Sequence, residues 1–128
     1  MLDHFGFIVR DLAASRRFYE AALKPLGLAV IQEQPTAFII ARSQTDRIPF
    51  IYIGAGRPSF WTPDSQAGHS PAHYGFAAND RASVDAFHKA GLAAGGRDNG
   101  APGPRREGYY AAYLLDPDNN NIEAGLRE

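Results

Sequence analysis

The sequence predicts an α+β fold made of two copies of one βαβββ module, and three observations lead there. The first is an internal repeat. Shifted by 69 residues, His4-Phe5-Gly6-Phe7 falls on His73-Tyr74-Gly75-Phe76, then Asp11 on Asp80, Ala13 on Ala82, Phe18 on Phe87, Ala21 on Ala90 and Leu23 on Leu92. Over positions 4 to 23 this gives eight identities in twenty with no gap, where average composition gives about one or two. The second is that each copy opens with a short apolar run, passes a polar pair and enters a helical pattern. The third is a meander of strand-like runs after each helix, broken by turn residues.

In chain order, the first strand is 4–9 and its counterpart is 73–78; each ends at a polar pair, Arg10-Asp11 or Asn79-Asp80. Asp11 and Asp80 are suited to cap helices, because a carboxylate accepts from the free amides of a first turn. The helices are expected at 12–24 and 81–94, with Tyr19, Ala22, Leu23 and Leu26 at helical spacing in the first and Val84, Phe87 and Gly91 in the second. Pro25 and Gly27 end one, Gly95-Gly96 the other. Strands are expected at 28–34, 36–42 and 49–54, then at a poorly defined 96–99, at 109–115 and at 120–126. Thr45-Asp46 and Asp116-Pro117-Asp118-Asn119 supply turns. The chain is then one domain, 1–128, with module 1 at 1–54, a Gly- and Pro-rich linker at 55–71 and module 2 at 72–128. The stretch 97–108, with Pro102 and Pro104, reads as a second irregular segment and a candidate lid.

Composition narrows the function. At 128 residues with 45% hydrophobic and 21% charged side chains, the chain is long enough to bury a core. A formal charge of −1 gives no basic field for nucleic acid or an anionic membrane. There is no cysteine, so disulfides and thiolate chemistry are excluded and any metal needs nitrogen and oxygen ligands. The N-terminus lacks a signal-peptide pattern and no apolar run reaches a membrane span, so a cytoplasmic protein without a nucleic-acid or membrane partner is expected.

His4 and His73 open equivalent strands. Glu123 lies in Asn121-Ile122-Glu123-Ala124-Gly125, where alternation sends it to the face opposite Ile122 and Ala124. A carboxylate between apolar neighbours is costly to bury unless paired or bound to a cation. Aligning Ile51-Tyr52-Ile53-Gly54 with Ile122-Glu123-Ala124-Gly125 sets Tyr52 in the slot equivalent to Glu123. Two imidazoles and a carboxylate make a facial metal site with open positions, suited to a divalent iron, manganese, nickel, cobalt or zinc ion. The other reading is two strand-end histidines bonded to carbonyls and a solvent-facing glutamate.

These residues resemble the vicinal oxygen chelate superfamily, which includes glyoxalase I, extradiol dioxygenases, and bleomycin and fosfomycin resistance proteins. The similarity covers nearly the whole chain. It is carried by His4 with Phe7-Ile8-Val9-Arg10-Asp11, by Phe18-Tyr19, by His73 with Phe76, and most specifically by Tyr113-Leu114-Leu115-Asp116-Pro117-Asp118-Asn119-Asn120-Asn121-Ile122-Glu123. The resemblance implies a curved mixed-sheet half-barrel around a metal, often completed in a homodimer, with His4, His73 and Glu123 as ligands. It implies a metal-dependent lyase, isomerase or dioxygenase that chelates a small oxygenated substrate, or alternatively a binding protein that sequesters a small molecule. The chain departs from glyoxalase I at Tyr52, where that enzyme carries a proton-transferring glutamate. A phenol with a pKa of about 10 is a poor general base near neutrality.

The catalytic candidates beside the metal are Tyr52 and Tyr109. Arg105, Arg106 and Tyr110 are candidates for substrate binding, since an arginine pair clamps an anion bidentately; a solvated loop pair is the other reading. Tyr109 and Tyr110 open a strand, so one is expected to face a cavity and its neighbour to face away. His88 falls on Tyr19 in the repeat and reads as a surface or packing residue. His69 and Phe60-Trp61 lie in the linker, as lid, pocket or solvated residues.

Overall fold

The computed structural model describes all residues, 1–128, and contains the repeat as two open four-stranded mixed sheets, each with one helix. Module 1 runs β1 (His4–Ile8), α1 (Leu12–Leu23), a 3-10 turn (Lys24–Leu26), β2 (Ala29–Gln34), β3 (Ala37–Ala41) and β4 (Phe50–Gly54). Module 2 runs β5 (His73–Ala77), α2 (Arg81–Ala93), β6 (Arg97–Arg106), β7 (Tyr109–Leu115) and β8 (Asn121–Arg127). The sheet orders are β1-β4-β3-β2 and β5-β8-β7-β6. In each, the opening strand pairs in parallel with the last and the other ladders are antiparallel.

Local chemistry accounts for the helix ends. The Asp11 carboxylate accepts from the Ala14 amide at 2.9 Å and Asp80 from the Ser83 amide at 2.7 Å, as the caps predict. Gly27, at φ 77°, closes the first helical segment in a left-handed conformation open to glycine. The turn before β8 places Asn119 at φ 66°, a conformation asparagine tolerates better than most residues.

The stretch 97–108 corrects the expected free loop. Residues 97–106 form an edge strand paired only with β7, interrupted by register shifts at Asp98/Gly100, Gly100/Gly103 and Pro104/Arg106. Proline cannot donate to a ladder, but an edge strand with bulges does not require every amide to do so. The prolines roughened the strand without abolishing it.

The modules share one core. Phe18, Tyr19, Leu23, Phe38, Ile40 and Ile53 of the first join Val84, Phe87, Leu114 and Ile122 of the second in a single buried cluster. Repeat-equivalent residues touch each other within it. Phe5 and Tyr74 stack with centroids 5.1 Å apart, and a Cβ placed on Gly91 would lie 3.3 Å from the Ala22 Cβ. A residue that contacts its own counterpart lies on a pseudo-two-fold axis, so the axis passes between β1 and β5 and between α1 and α2. Both sheets therefore turn one face to this shared core and leave the other face open.

Candidate functional site

Each parallel ladder fixes one polar slot on an open face. Gly6 pairs with Tyr52 and Gly75 with Glu123, so the register gives Tyr52 and Glu123 equivalent positions, as the alignment predicts. Ile122 and Ala124, on either side of Glu123, are fully buried on the core face. Glu123 is itself only 7% exposed. A buried carboxylate needs donors, and it has them: the Tyr109 hydroxyl donates to Oε1 at 2.5 Å and His73 Nε2 lies 3.0 Å from Oε2.

Tyr109 reaches Glu123 because Gly125, the next residue on the same face of β8, has no side chain. A Cβ there would collide with the Tyr109 hydroxyl and ring. Burial, the hydrogen bond to Glu123 and its negative charge push the Tyr109 phenol up to about 12. Tyr113, paired with Glu123 across β7 and β8, is raised by burial and then by the same charge. Both phenols remain protonated at neutral pH.

The His73 contact is informative. Its Nδ1 lies 3.1 Å from the Asn121 carbonyl oxygen, to which it donates when protonated, and 3.1 Å from the Asn121 side-chain amide, from which it accepts when bare; either contact orients the ring. Nε2 then faces a carboxylate oxygen, and two lone pairs cannot meet without something between them. Either a proton on Nε2 or a cation must fill that place. The pair therefore supplies two of the donors that a divalent metal site requires.

His4 stands on the other open face. Its ring stacks on Phe50 at 4.6 Å and 6°, and Nδ1 meets the Asp3 carboxylate at 2.6 Å. With the Asp3 carboxylate as acceptor for a proton on Nδ1, Nε2 is left without a partner. His4 and Tyr52 line a cavity of ≈ 870 Å³ together with Ile39, Phe50, Tyr74, Trp61 and other linker residues. His73 and Glu123 are not part of that cavity.

One chain thus brings together His73, Glu123 and Tyr109, but not His4 or Tyr52. No three His, Asp or Glu side chains gather around a common point. Phe5 and Tyr74 face the axis, and alternation sends His4 and His73 to separate open faces.

Arg105 and Arg106 lie beside the Glu123 cluster, stacked on Tyr113 and Tyr109 with guanidinium carbons 4.9 and 5.2 Å from the ring centroids. Tyr110 does not join them. It points to the helix side, where its hydroxyl donates to Asp85 at 2.8 Å under Arg81. Tyr109 and Tyr110 therefore divide between the faces as expected of strand neighbours. His88 is buried and paired with Asp98 at 2.8 Å, which holds the Asp98 carboxyl below its usual range. His69 stays in the linker and joins neither group. The sequence pattern did not single out Asp3 or Arg127, nor a role for Asn121 or Tyr113, although alternation from Glu123 and Tyr109 points to Tyr113 and Arg127.

The chain matches the model of the Glyoxalase/Bleomycin resistance protein/Dioxygenase superfamily over residues 1–124. It is 31% identical over 132 residues to an uncharacterized protein of Pseudomonas aeruginosa, an alignment covering 95% of this chain and 85% of the relative. Among solved structures it is similar to a glyoxalase/bleomycin resistance protein from Albidiferax ferrireducens T118, with 33% identity, a TM-score of 0.78 and coverage of 100% of this chain and 99% of the other. A lactoylglutathione lyase from Agrobacterium tumefaciens shares the fold, with 20% identity, a TM-score of 0.65 and coverage of 98% and 92%. This chain belongs to the glyoxalase/bleomycin resistance protein/dioxygenase superfamily.

Proposed function

We propose that the protein is a metal-dependent lyase, isomerase or dioxygenase acting on a small oxygenated molecule, working as a homodimer. In this reading His73 and Glu123 of one chain hold a divalent cation together with His4 of a second copy. The observation that carries it is the braced contact between His73 Nε2 and Glu123 Oε2 on an open sheet face. The free Nε2 of His4 on the equivalent open face supports the third ligand. With Tyr52 rather than a carboxylate in the fourth symmetric slot, the ligand set is two imidazoles and one carboxylate.

When bound there, the metal would supply a Lewis acid for two neighbouring substrate oxygens. The protein's own groups do the rest. Tyr109, protonated near neutrality, donates to Oε1 and so keeps Oε2 aimed at His73; it acts as a positioning donor rather than a base. Asp3 and Asn121 hold the two imidazole rings in orientation. Phe50, Trp61 and Ile39 wall the cavity beside His4 and keep water from a bound substrate. The Tyr52 hydroxyl is available there to donate to a substrate oxygen.

A subunit-mixing experiment tests this directly. His4→Ala and Glu123→Gln should each abolish stoichiometric metal binding. Mixed in equal amounts and allowed to exchange, they should regain about a quarter of the wild-type metal, because each heterodimer regenerates one intact site. A site built within one chain would regain none, since every chain carries a lesion. Wild-type protein that binds none of iron, manganese, nickel, cobalt or zinc sinks the proposal.

A further inference from the structure

Three arginines without a carboxylate partner gather around Glu123 on the open face of the second sheet. Arg105 lies 4.9 Å over the Tyr113 ring, while Arg106 and Arg127 share Tyr109 at 5.2 and 4.8 Å. Elsewhere Arg10, Arg16, Arg42 and Arg81 each hold a carboxylate. None of these three does. Asp98, the other acid whose field reaches Arg105, is engaged by His88.

The arrangement is held in place rather than loose. Arg105 donates from Nη2 to the carbonyls of Ala101 and Ala111, which leaves Nε and Nη1 as its remaining donors, and a guanidinium over a phenol ring keeps its N–H groups directed outward in the plane. Arg106 and Arg127 are brought to one ring despite their mutual repulsion. The nearby acid, Glu123, already spends both oxygens on Tyr109 and His73. The face therefore carries an excess of oriented positive charge.

We propose that Arg105, Arg106 and Arg127 form an anion-binding subsite that takes the carboxylate or phosphoryl end of the molecule whose other oxygens reach Glu123 and His73. This assigns an anionic substrate class and rests on the reading of that pair as metal-holding, although the subsite itself needs no metal. A planar guanidinium offers paired N–H donors that match either oxyanion.

The test is calorimetric titration of chelator-treated protein at low ionic strength with inorganic phosphate and with succinate. Saturable binding is expected for at least one, and the tighter of the two names the anion. Arg106→Gln and Arg127→Gln should each weaken it about tenfold, the loss of one charge-assisted contact. Arg47→Gln, an exposed arginine bonded to Gln32 and Gln44 on the other module, should change nothing. Elemental analysis of the untreated proteins separates the two readings: anion binding that follows the arginines in a protein without metal upholds the subsite while the metal site falls. Absence of saturable binding by both anions, or equal affinity in wild type and both variants, overturns the subsite.

Discussion

Glu123 shows how much one residue depends on its neighbours' sizes. It is buried at 7% exposure and tolerable there because Tyr109 and His73 satisfy its oxygens. Tyr109 arrives only because Gly125 leaves room. Tyr109→Phe should therefore leave the fold intact and weaken metal binding about 10- to 100-fold, as loss of a ligand's hydrogen-bond partner commonly does. Competition with a chromogenic chelator measures it. Gly125→Ala should shift affinity the same way, since its methyl group displaces the phenol without removing it. Wild-type metal affinity in both variants would show that Tyr109 does not position Glu123. In the sequence, residue type, alternation and symmetry mark the carboxylate and the two histidines as candidates. Asp3 is not marked, because no pattern indicates that a neighbour's carboxylate turns back onto a ring nitrogen.

Among the elements, helices α1 and α2 were the most legible, with Asp11 and Asp80 capping them as expected. Strand β6 was the least legible. Its prolines remove donors, and only its place at a sheet edge makes that acceptable. Where α1 crosses α2, Gly91 faces Ala22, Phe18 and Leu114 at distances that leave no room for a side chain. Gly91→Val should cost about 1–3 kcal/mol by overpacking, read as a lower urea midpoint with unchanged slope. Stability equal to wild type would mean that the crossing is looser than these contacts imply.

The whole molecule is tied across its repeat. Tyr19 of α1 donates to Asp116 of the β7–β8 turn at 2.5 Å, and Arg10 after β1 meets Asp118 at 2.7 Å. With one core spanning both modules, thermal unfolding should be a single transition coincident by circular dichroism and fluorescence; two separated transitions would contradict the shared core. Burial and then the Asp116 charge raise the Tyr19 phenol well above 10.0. Its proton is thus held more tightly in the folded state. Above pH 10 the unfolded chain binds fewer protons, so stability falls as pH rises toward the folded value. Tyr19→Phe should flatten that alkaline decline. At neutral pH it should cost about 1–3 kcal/mol, since buried Asp116 loses a donor. An alkaline limb as steep as wild type's would assign the decline to other tyrosines, four of which are also raised.

Sequence pattern is enough to show a duplicated βαβββ chain, to locate its elements apart from the extent of β6, and to make His4 equivalent to His73 and Tyr52 to Glu123. Those properties follow from local pattern: periodicity, caps and the alternation of a strand. Only the tertiary structure decided which slots meet. Repeat-equivalent apolar residues, Phe5 with Tyr74 and Ala22 with Gly91, bury against each other at the axis. Burying them fixes the relative orientation of the modules and sends the polar slots outward. The same packing leaves His73 and Glu123 braced together on one open face, and His4 with Tyr52 on the other.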